Sequence, residues 1–80
     1  MSEQKSKRLM KLGEAALAAA VSKQTIEYYI MLGLVNPITP PGTRRRFFDK
    51  KIIQRIRLIR ELNDTGYTLR EIRQTWLKRR

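Results

Sequence analysis

Three consecutive arginines, Arg44, Arg45 and Arg46, stand directly before two phenylalanines in the segment PPGTRRRFFDKK. A guanidinium group is permanently charged and presents several N–H donors, which suits phosphate oxygens. Two interpretations remain open: a solvated basic loop, or a β-hairpin whose rings hold it to a core while its arginines reach phosphates. Because side chains alternate along a strand, Arg45 would point away from the other two. We expect Phe48, rather than Phe47, to pack beneath such a hairpin.

The side chains that usually carry catalysis or bind metals are scarce. The 80 residues include no cysteine and no histidine, which removes disulfides, thiolate ligands, the commonest general base and the commonest metal ligand. The seven acidic residues are scattered, with neither a calcium-loop spacing nor a close pair that suggests a carboxylate dyad. We therefore expect no enzyme, no metal site and no cofactor.

The positive charge indicates an anionic partner. The formal net charge is +11, of which residues 1–43 contribute +2 and residues 44–80 contribute +9. Such a charge repels itself unless a polyanion neutralises it, so nucleic acid is the first candidate and a membrane surface the second. No apolar run approaches the roughly 20 residues that span a bilayer. Glu14 interrupts the alanine-rich start, which argues against a signal peptide and favours a cytoplasmic protein.

The length of the chain allows one small domain. Residues 1–8, MSEQKSKR, lack apolar periodicity and are predicted to be a disordered lead-in. The domain is predicted over residues 9–80.

Two short helices with a tight turn are predicted next. The segment GEAALAAA at residues 13–20 favours a helix, because alanine is the best helix former. Leu12, Ala16 and Leu17 are expected to share its buried face. Only a tight turn around Ala20 fits before the following helix, and this order is the helix-turn-helix pattern.

The second helix has recognisable ends and two distinct faces. Ser22 is a good N-cap residue, and Gly33 is free to adopt the positive φ that follows a helix. Helical spacing sorts the side chains between them. The inward-facing set is Ile26, Tyr29 and Ile30. The outward-facing set is Lys23, Gln24, Glu27, Tyr28 and Met31. The outward face fits a helix that meets base edges, but an ordinary solvent-exposed face fits equally well.

A hairpin and two more helices complete the predicted domain. Leu34 and Val35 can begin one strand, and Arg46 to Phe48 can form the returning strand, with prolines and a glycine in the turn. A helix-turn-helix followed by a basic hairpin is the order of a winged helix.

The two later helices also have readable ends. Asp49 is the expected N-cap of a long helix that ends at Gly66, and Thr68 with Glu71 matches a capping box for the last helix. The apolar stripe of the long helix consists of Ile52, Ile53, Ile56, Ile59 and Leu62. Its arginines outside the stripe are Arg55, Arg57 and Arg60, which either solubilise the helix or contact DNA. Trp76 is expected to lie in the core.

The segments LGEAALAAAVSKQTIEYYIMLGLV, RRRFFDKKIIQRI and LNDTGYTLREI together resemble the N-terminal DNA-binding domain of bacterial MerR-type transcriptional regulators. The likeness runs from Met10 to about Leu77 in the order of the family pattern. It implies a mainly α fold: a winged helix-turn-helix with a small β-hairpin wing and two following helices. It also implies sequence-specific binding to double-stranded DNA, with residues 22–32 in the major groove and the wing, residues 36–48, on the backbone.

Site residues follow from the resemblance position by position. Those expected on the recognition helix are Ser22, Lys23, Gln24, Thr25 and Tyr28. Arg44 and Arg46 match the basic wing positions with Arg45 between them, and these three are expected on phosphates together with Lys50, which is added for its charge. Three positions depart from the family pattern: Glu27 replaces an arginine, Ile30 replaces a glutamate and Ala20 replaces the turn glycine. Glu27 either accepts from a cytosine amine or pairs with a nearby cation such as Lys23; the second interpretation is favoured.

Partners and alternative functions stay open. Family members usually continue into a dimerising coiled coil and an effector domain, so this sequence is either a piece of a longer protein or a small stand-alone regulator. We expect a monomer in solution, with a homodimer on DNA and a contact with RNA polymerase as further alternatives. An excisionase-like protein that bends DNA fits the size and charge as well as a regulator does. A module that docks on an acidic protein partner is a third alternative, and a membrane-surface role is the least favoured.

Overall fold

The computed structural model describes residues 9–77, so the predicted lead-in at residues 1–8 lies outside the described residues. Helices dominate the structure, as predicted, and the elements occur in the predicted order. The elements are α1 (Leu12–Ala19), α2 (Lys23–Met31), α3 (Lys50–Thr65) and α4 (Leu69–Glu71), which continues as a π-helical segment (Ile72–Leu77). Helix α1 packs against both α2 and α3, and the π-helical segment also contacts α3.

The turn between α1 and α2 is tight and is capped on both sides. Ala20 adopts a left-handed conformation with φ 60° and ψ 41°, which is unusual for a residue with a Cβ. On the far side, the Ser22 hydroxyl accepts a hydrogen bond of 3.0 Å from the Thr25 amide, so the predicted N-cap is confirmed. Helix α2 ends before Gly33, whose φ of 79° confirms the predicted C-terminal glycine.

Small side chains form the buried face of α1. Ala15, Ala16 and Ala19 are 0 %, 7 % and 2 % exposed, whereas Leu17 is 85 % exposed. The prediction that Leu17 packs inward was therefore wrong. The two helices that contact α1 cover its alanine face and leave Leu17 exposed. The size and apolarity of Leu17 had suggested that it is buried, but α1 buries its smallest residues instead.

The wing is held by two short antiparallel pairings rather than by long strands. Ile38 and Phe47 exchange two backbone hydrogen bonds of 2.8 Å, and Met10 and Phe48 do the same. Phe48 is fully buried, as predicted. The outgoing half of the hairpin pairs at Ile38 and not at Leu34 or Val35, which are both 1 % exposed in the core. The pairing with Met10 adds a third segment that the sequence pattern did not indicate.

The third and fourth helices begin as predicted. The Asp49 carboxylate accepts from the Ile52 amide at 2.9 Å, and Thr68 and Glu71 cap each other's backbone amides at 3.1 and 2.8 Å. Within the apolar stripe of α3, Ile53, Ile56 and Ile59 are buried.

Trp76 was predicted in the core but is 45 % exposed, and it meets Tyr67 edge to face with ring centroids 5.9 Å apart. Trp76 thus lies at the edge of the core, in the π-helical segment whose Ile72 is fully buried.

Among residues 9–77, no helix combines the length and the apolar character that a membrane crossing requires.

Candidate nucleic-acid interface

The outward face of α2 is the first part of the candidate site. All five side chains assigned to this face by helical spacing are exposed. Tyr28 and Tyr29 illustrate the division, with 48 % and 5 % of their surface exposed. The Tyr29 ring belongs to the core, and its burial raises its pKa, helped by the Asp64 carboxylate. Tyr28 remains available to a ligand that approaches α2.

The first turn of α2 carries four of the predicted site residues. Besides capping the helix, the Ser22 hydroxyl lies 2.9 Å from the Thr25 hydroxyl, so the two form one small polar group at the helix start. Gln24 is exposed beside them. The Lys23 side chain lies across Gly13, with its Cε 3.5 Å from the point where a side chain at position 13 would begin. Hydrogen-bond donors and acceptors thus surround a helix N-terminus, which carries a partial positive charge.

The wing supplies the second part of the site. Arg44 and Arg45 are exposed, and the Thr43 hydroxyl accepts from the Arg45 amide at 3.1 Å. An open groove beside these arginines is also lined by Lys11. Sequence reasoning missed Lys11, because only the pairing of residue 10 with residue 48 brings the start of α1 next to the wing. Lys50, the remaining predicted phosphate contact, is exposed at the start of α3.

An ion pair joins the two parts. Arg46 Nη2 donates to Glu27 Oε2 at 2.6 Å, with the two side chains 34 % and 45 % exposed. The hydrogen bond from Arg46 holds the pKa of the Glu27 carboxyl below its ordinary value, and the same bond raises the pKa of Arg46. The expectation that Glu27 pairs with a cation was correct in kind, but the cation is Arg46 of the wing rather than Lys23.

Three arginines outside the predicted site brace the ends of α2. Arg60 donates to the Ala20 carbonyl just before the helix, and Arg55 Nε donates to the Leu34 carbonyl just after it at 2.7 Å. The guanidinium of Arg73 lies against Gly33, 3.6 Å from where a side chain would start. These bonds satisfy carbonyls at helix and turn ends that would otherwise lack partners. The sequence suggested solubility or DNA contact for Arg55 and Arg60, and the structure adds a hydrogen bond from each of them to a backbone carbonyl.

The sequence is similar to known regulatory proteins. Residues 10–77 match the family described as MerR HTH family regulatory protein. The chain is 29 % identical over 65 residues to the HTH-type transcriptional regulator HmrR of Sinorhizobium medicae, covering 81 % of this chain and 44 % of that protein. It is 32 % identical over 62 residues to the mercuric resistance operon regulatory protein of Bacillus cereus, covering 78 % and 47 %. The chain thus spans about half the length of these curated relatives.

Solved structures show the same fold. The structure is similar to that of HiNmlR, a MerR family regulator lacking the sensor domain, bound to promoter DNA. The TM-score is 0.76 at 25 % identity, over 84 % of this chain and 51 % of that one. It is also similar to the transcription regulator PbrR691 from Ralstonia metallidurans in complex with lead(II), with a TM-score of 0.75 at 32 % identity, over 81 % and 51 %. The winged helix-turn-helix inferred from the sequence is therefore confirmed.

Proposed function

Because the chain belongs to the MerR family of helix-turn-helix regulatory proteins, we propose that it binds double-stranded DNA sequence-specifically as the DNA-binding part of a transcriptional regulator. One observation carries the proposal: the exposed polar face of α2 and the basic wing lie side by side and are joined by the Glu27–Arg46 contact. A helix presenting hydrogen-bonding groups, with cations beside it, can read base edges and neutralise the flanking phosphates together.

In this proposal, α2 discriminates between base pairs. A major groove admits an α-helix and presents a distinct donor and acceptor pattern for each base pair. Gln24 suits a bidentate contact with adenine and Lys23 suits guanine; both are exposed on the first turn. Ser22 and Thr25 offer hydroxyls at the same end. Tyr28, one turn further, is placed for a phosphate or a groove wall.

In this proposal, the wing and the cations next to it supply most of the affinity for DNA. Arg44, Arg45 and Lys50 are exposed, and Lys11 lines the groove beside the wing. Each phosphate that such a cation neutralises releases counterions, so the logarithm of the binding constant falls with the logarithm of salt concentration by about 0.9 per contact. The predicted wing contact Arg46 differs from these, because Glu27 already holds its guanidinium.

Selection from random duplexes followed by sequencing, repeated over a salt series, tests the proposal. We expect a short enriched motif and binding that weakens with salt. Arg44→Ala should reduce the salt slope by about 0.9, while Gln24→Ala should relax the motif at one position with little change in slope. Gln54→Ala, an exposed neutral change on α3, is the matched control for Gln24.

Two results would oppose the proposal, and each favours a different alternative. Salt-sensitive binding with no motif, together with DNA bending, would favour the excisionase-like alternative. A failure to bind any duplex at low salt would refute both and favour docking on an acidic protein.

Two copies are part of the proposal, because one winged helix contacts only a half-site and operators of helix-turn-helix proteins usually hold two. Sedimentation of the chain with duplexes carrying one or two half-sites measures this stoichiometry. A contact with RNA polymerase and a cytoplasmic location belong to the same proposal, supported by the regulatory family of the chain.

A further inference from the structure

We propose that Glu27 and Arg46 act as one specificity-determining unit that selects a C·G base pair, with Glu27 accepting from the cytosine N4 amine. Arg46 is the positioning residue that holds the carboxylate. The inference rests on the proposed binding of α2 in the major groove. It assigns a role to the position where the family pattern has arginine and this chain has glutamate.

The geometry leaves half of the carboxylate available. Arg46 Nη2 occupies Oε2 of Glu27 at 2.6 Å, and the other oxygen, Oε1, has no hydrogen-bond partner among residues 9–77. Glu27 lies near the middle of the outward face of α2, one turn beyond the exposed Gln24 and one turn before the exposed Met31. A base edge that meets this face therefore meets a carboxylate whose orientation is fixed from the wing.

The negative charge of Glu27 determines which groups of the duplex its carboxylate can bind. A phosphate oxygen would be repelled by Glu27, and so would a guanine or thymine edge, because both present carbonyl acceptors in the major groove. Cytosine N4 and adenine N6 are donors there, but adenine presents its N7 acceptor beside that donor, whereas the O6 and N7 acceptors of a C·G pair belong to the guanine. A carboxylate with a guanidinium beside it offers the complementary arrangement of one acceptor and adjacent donors.

Arg46 makes this contact tolerable. A lone carboxylate among phosphates would be repelled by the duplex, but the adjacent Arg46 guanidinium offsets its charge, and the hydrogen bond between them lowers the pKa of Glu27. If Arg46 left for a phosphate, Glu27 would remain negative against the duplex. The pair therefore gains more by staying together and reading a base pair than by separating. An arginine at position 27 would instead favour guanine, so the exchange of arginine for glutamate changes which base is preferred.

The test compares the sequence preferences of variants of the full chain. Random-duplex selection is run on the wild type, Glu27→Gln and Glu61→Gln; the last removes the same charge from an exposed site on α3. We expect the wild type to enrich a C·G pair at one position and to bind it about tenfold better than a T·A pair there, the size of one good base contact. Glu27→Gln should lose that preference while the rest of the motif persists, and Glu61→Gln should keep it.

Arg46 is tested in the same way. Arg46→Ala should weaken the preference at that same position, and Arg46→Lys should restore part of it, because lysine can still pair with the carboxylate. A substitution that merely removed a phosphate contact would instead lower affinity equally for all sequences. Thermal unfolding of each variant verifies that it is folded.

The outcomes separate this inference from the function on which it rests. A wild-type motif that is unchanged at every position in Glu27→Gln would overturn the inference and leave sequence-specific binding intact. A uniform gain in affinity with the same motif would overturn it as well, since Glu27 would then only neutralise Arg46. A wild type that binds DNA but enriches no motif would refute both.

Discussion

Replacing Ala20 by glycine should stabilise the protein. Ala20 is the non-glycine residue with positive φ among residues 9–77, at φ 60° and ψ 41° in the turn between α1 and α2. In this left-handed region the Cβ approaches the following carbonyl oxygen, and the conformation costs a residue with a side chain about 1–2 kcal/mol. Glycine adopts it without that cost.

The size of the expected stabilisation depends on the other effects of replacing Ala20 by glycine. Ala20 is exposed, so removal of its methyl group opens no cavity. The bond from Arg60 ends on the carbonyl of residue 20, which glycine retains. Against the relief of strain, glycine loses about 0.5–1 kcal/mol more conformational entropy on folding. The net stabilisation is about 0.5–1 kcal/mol, which corresponds to a rise in Tm of roughly 3–6 °C for a domain of this size.

Urea unfolding followed by circular dichroism measures the change, with thermal melts as a second reading. Ala18→Gly is the matched control, because Ala18 is exposed inside α1, where glycine should cost about 1 kcal/mol. Equal losses of stability in both variants would refute the argument, since they would mean that the turn does not strain Ala20. DNA affinity should stay unchanged in Ala20→Gly if the change acts on strain alone.

Three further changes test other parts of the structure. Phe48→Ala should cost about 3–5 kcal/mol in urea unfolding because it empties a fully buried site, whereas Phe47→Ala, at a half-buried position, should cost clearly less. Arg55→Ala should cost about 1–3 kcal/mol by removing the donor to the carbonyl that follows α2, while Arg57→Ala, exposed on the same helix, should change stability little. The pKa of Glu27 is lowered on folding, so its stabilising ion pair is complete above the ordinary glutamate pKa and is lost as pH falls through the folded value. The difference in Tm between the wild type and Glu27→Gln should therefore disappear in acid, and a gap that persists there would count against the pair.

Local signals in the sequence predicted the ends of the helices well. The Ser22 and Asp49 caps, the Thr68–Glu71 capping box and the positive φ of Gly33 are all present. Each depends on residues at most a few positions apart, so one short segment contains all the information. The same is true of the inward and outward faces of α2, which helical spacing separates.

Features that depend on distant segments escaped prediction. The partner of Glu27 is 19 positions away in sequence, and helical spacing could suggest only Lys23. Leu17 and Trp76 were assigned to the core by their size and spacing, but which side of each segment the rest of the fold covers is set by tertiary packing. No local sequence pattern predicts which backbone carbonyls an arginine of α3 will bond to.

The arginines show why composition alone could not locate the binding surface. Arg46, Arg55 and Arg60 each bond to a group elsewhere in the chain, so part of the positive charge works within the fold and fixes α2 from both ends and from the wing. A recognition helix held in this way loses little further freedom when it meets a ligand, which favours tight and selective contact. The exposed cations of the wing are then left to supply attraction. The high net charge therefore has two roles, and only the contacts in the structure separate the arginines that position the helix from those that can meet phosphates.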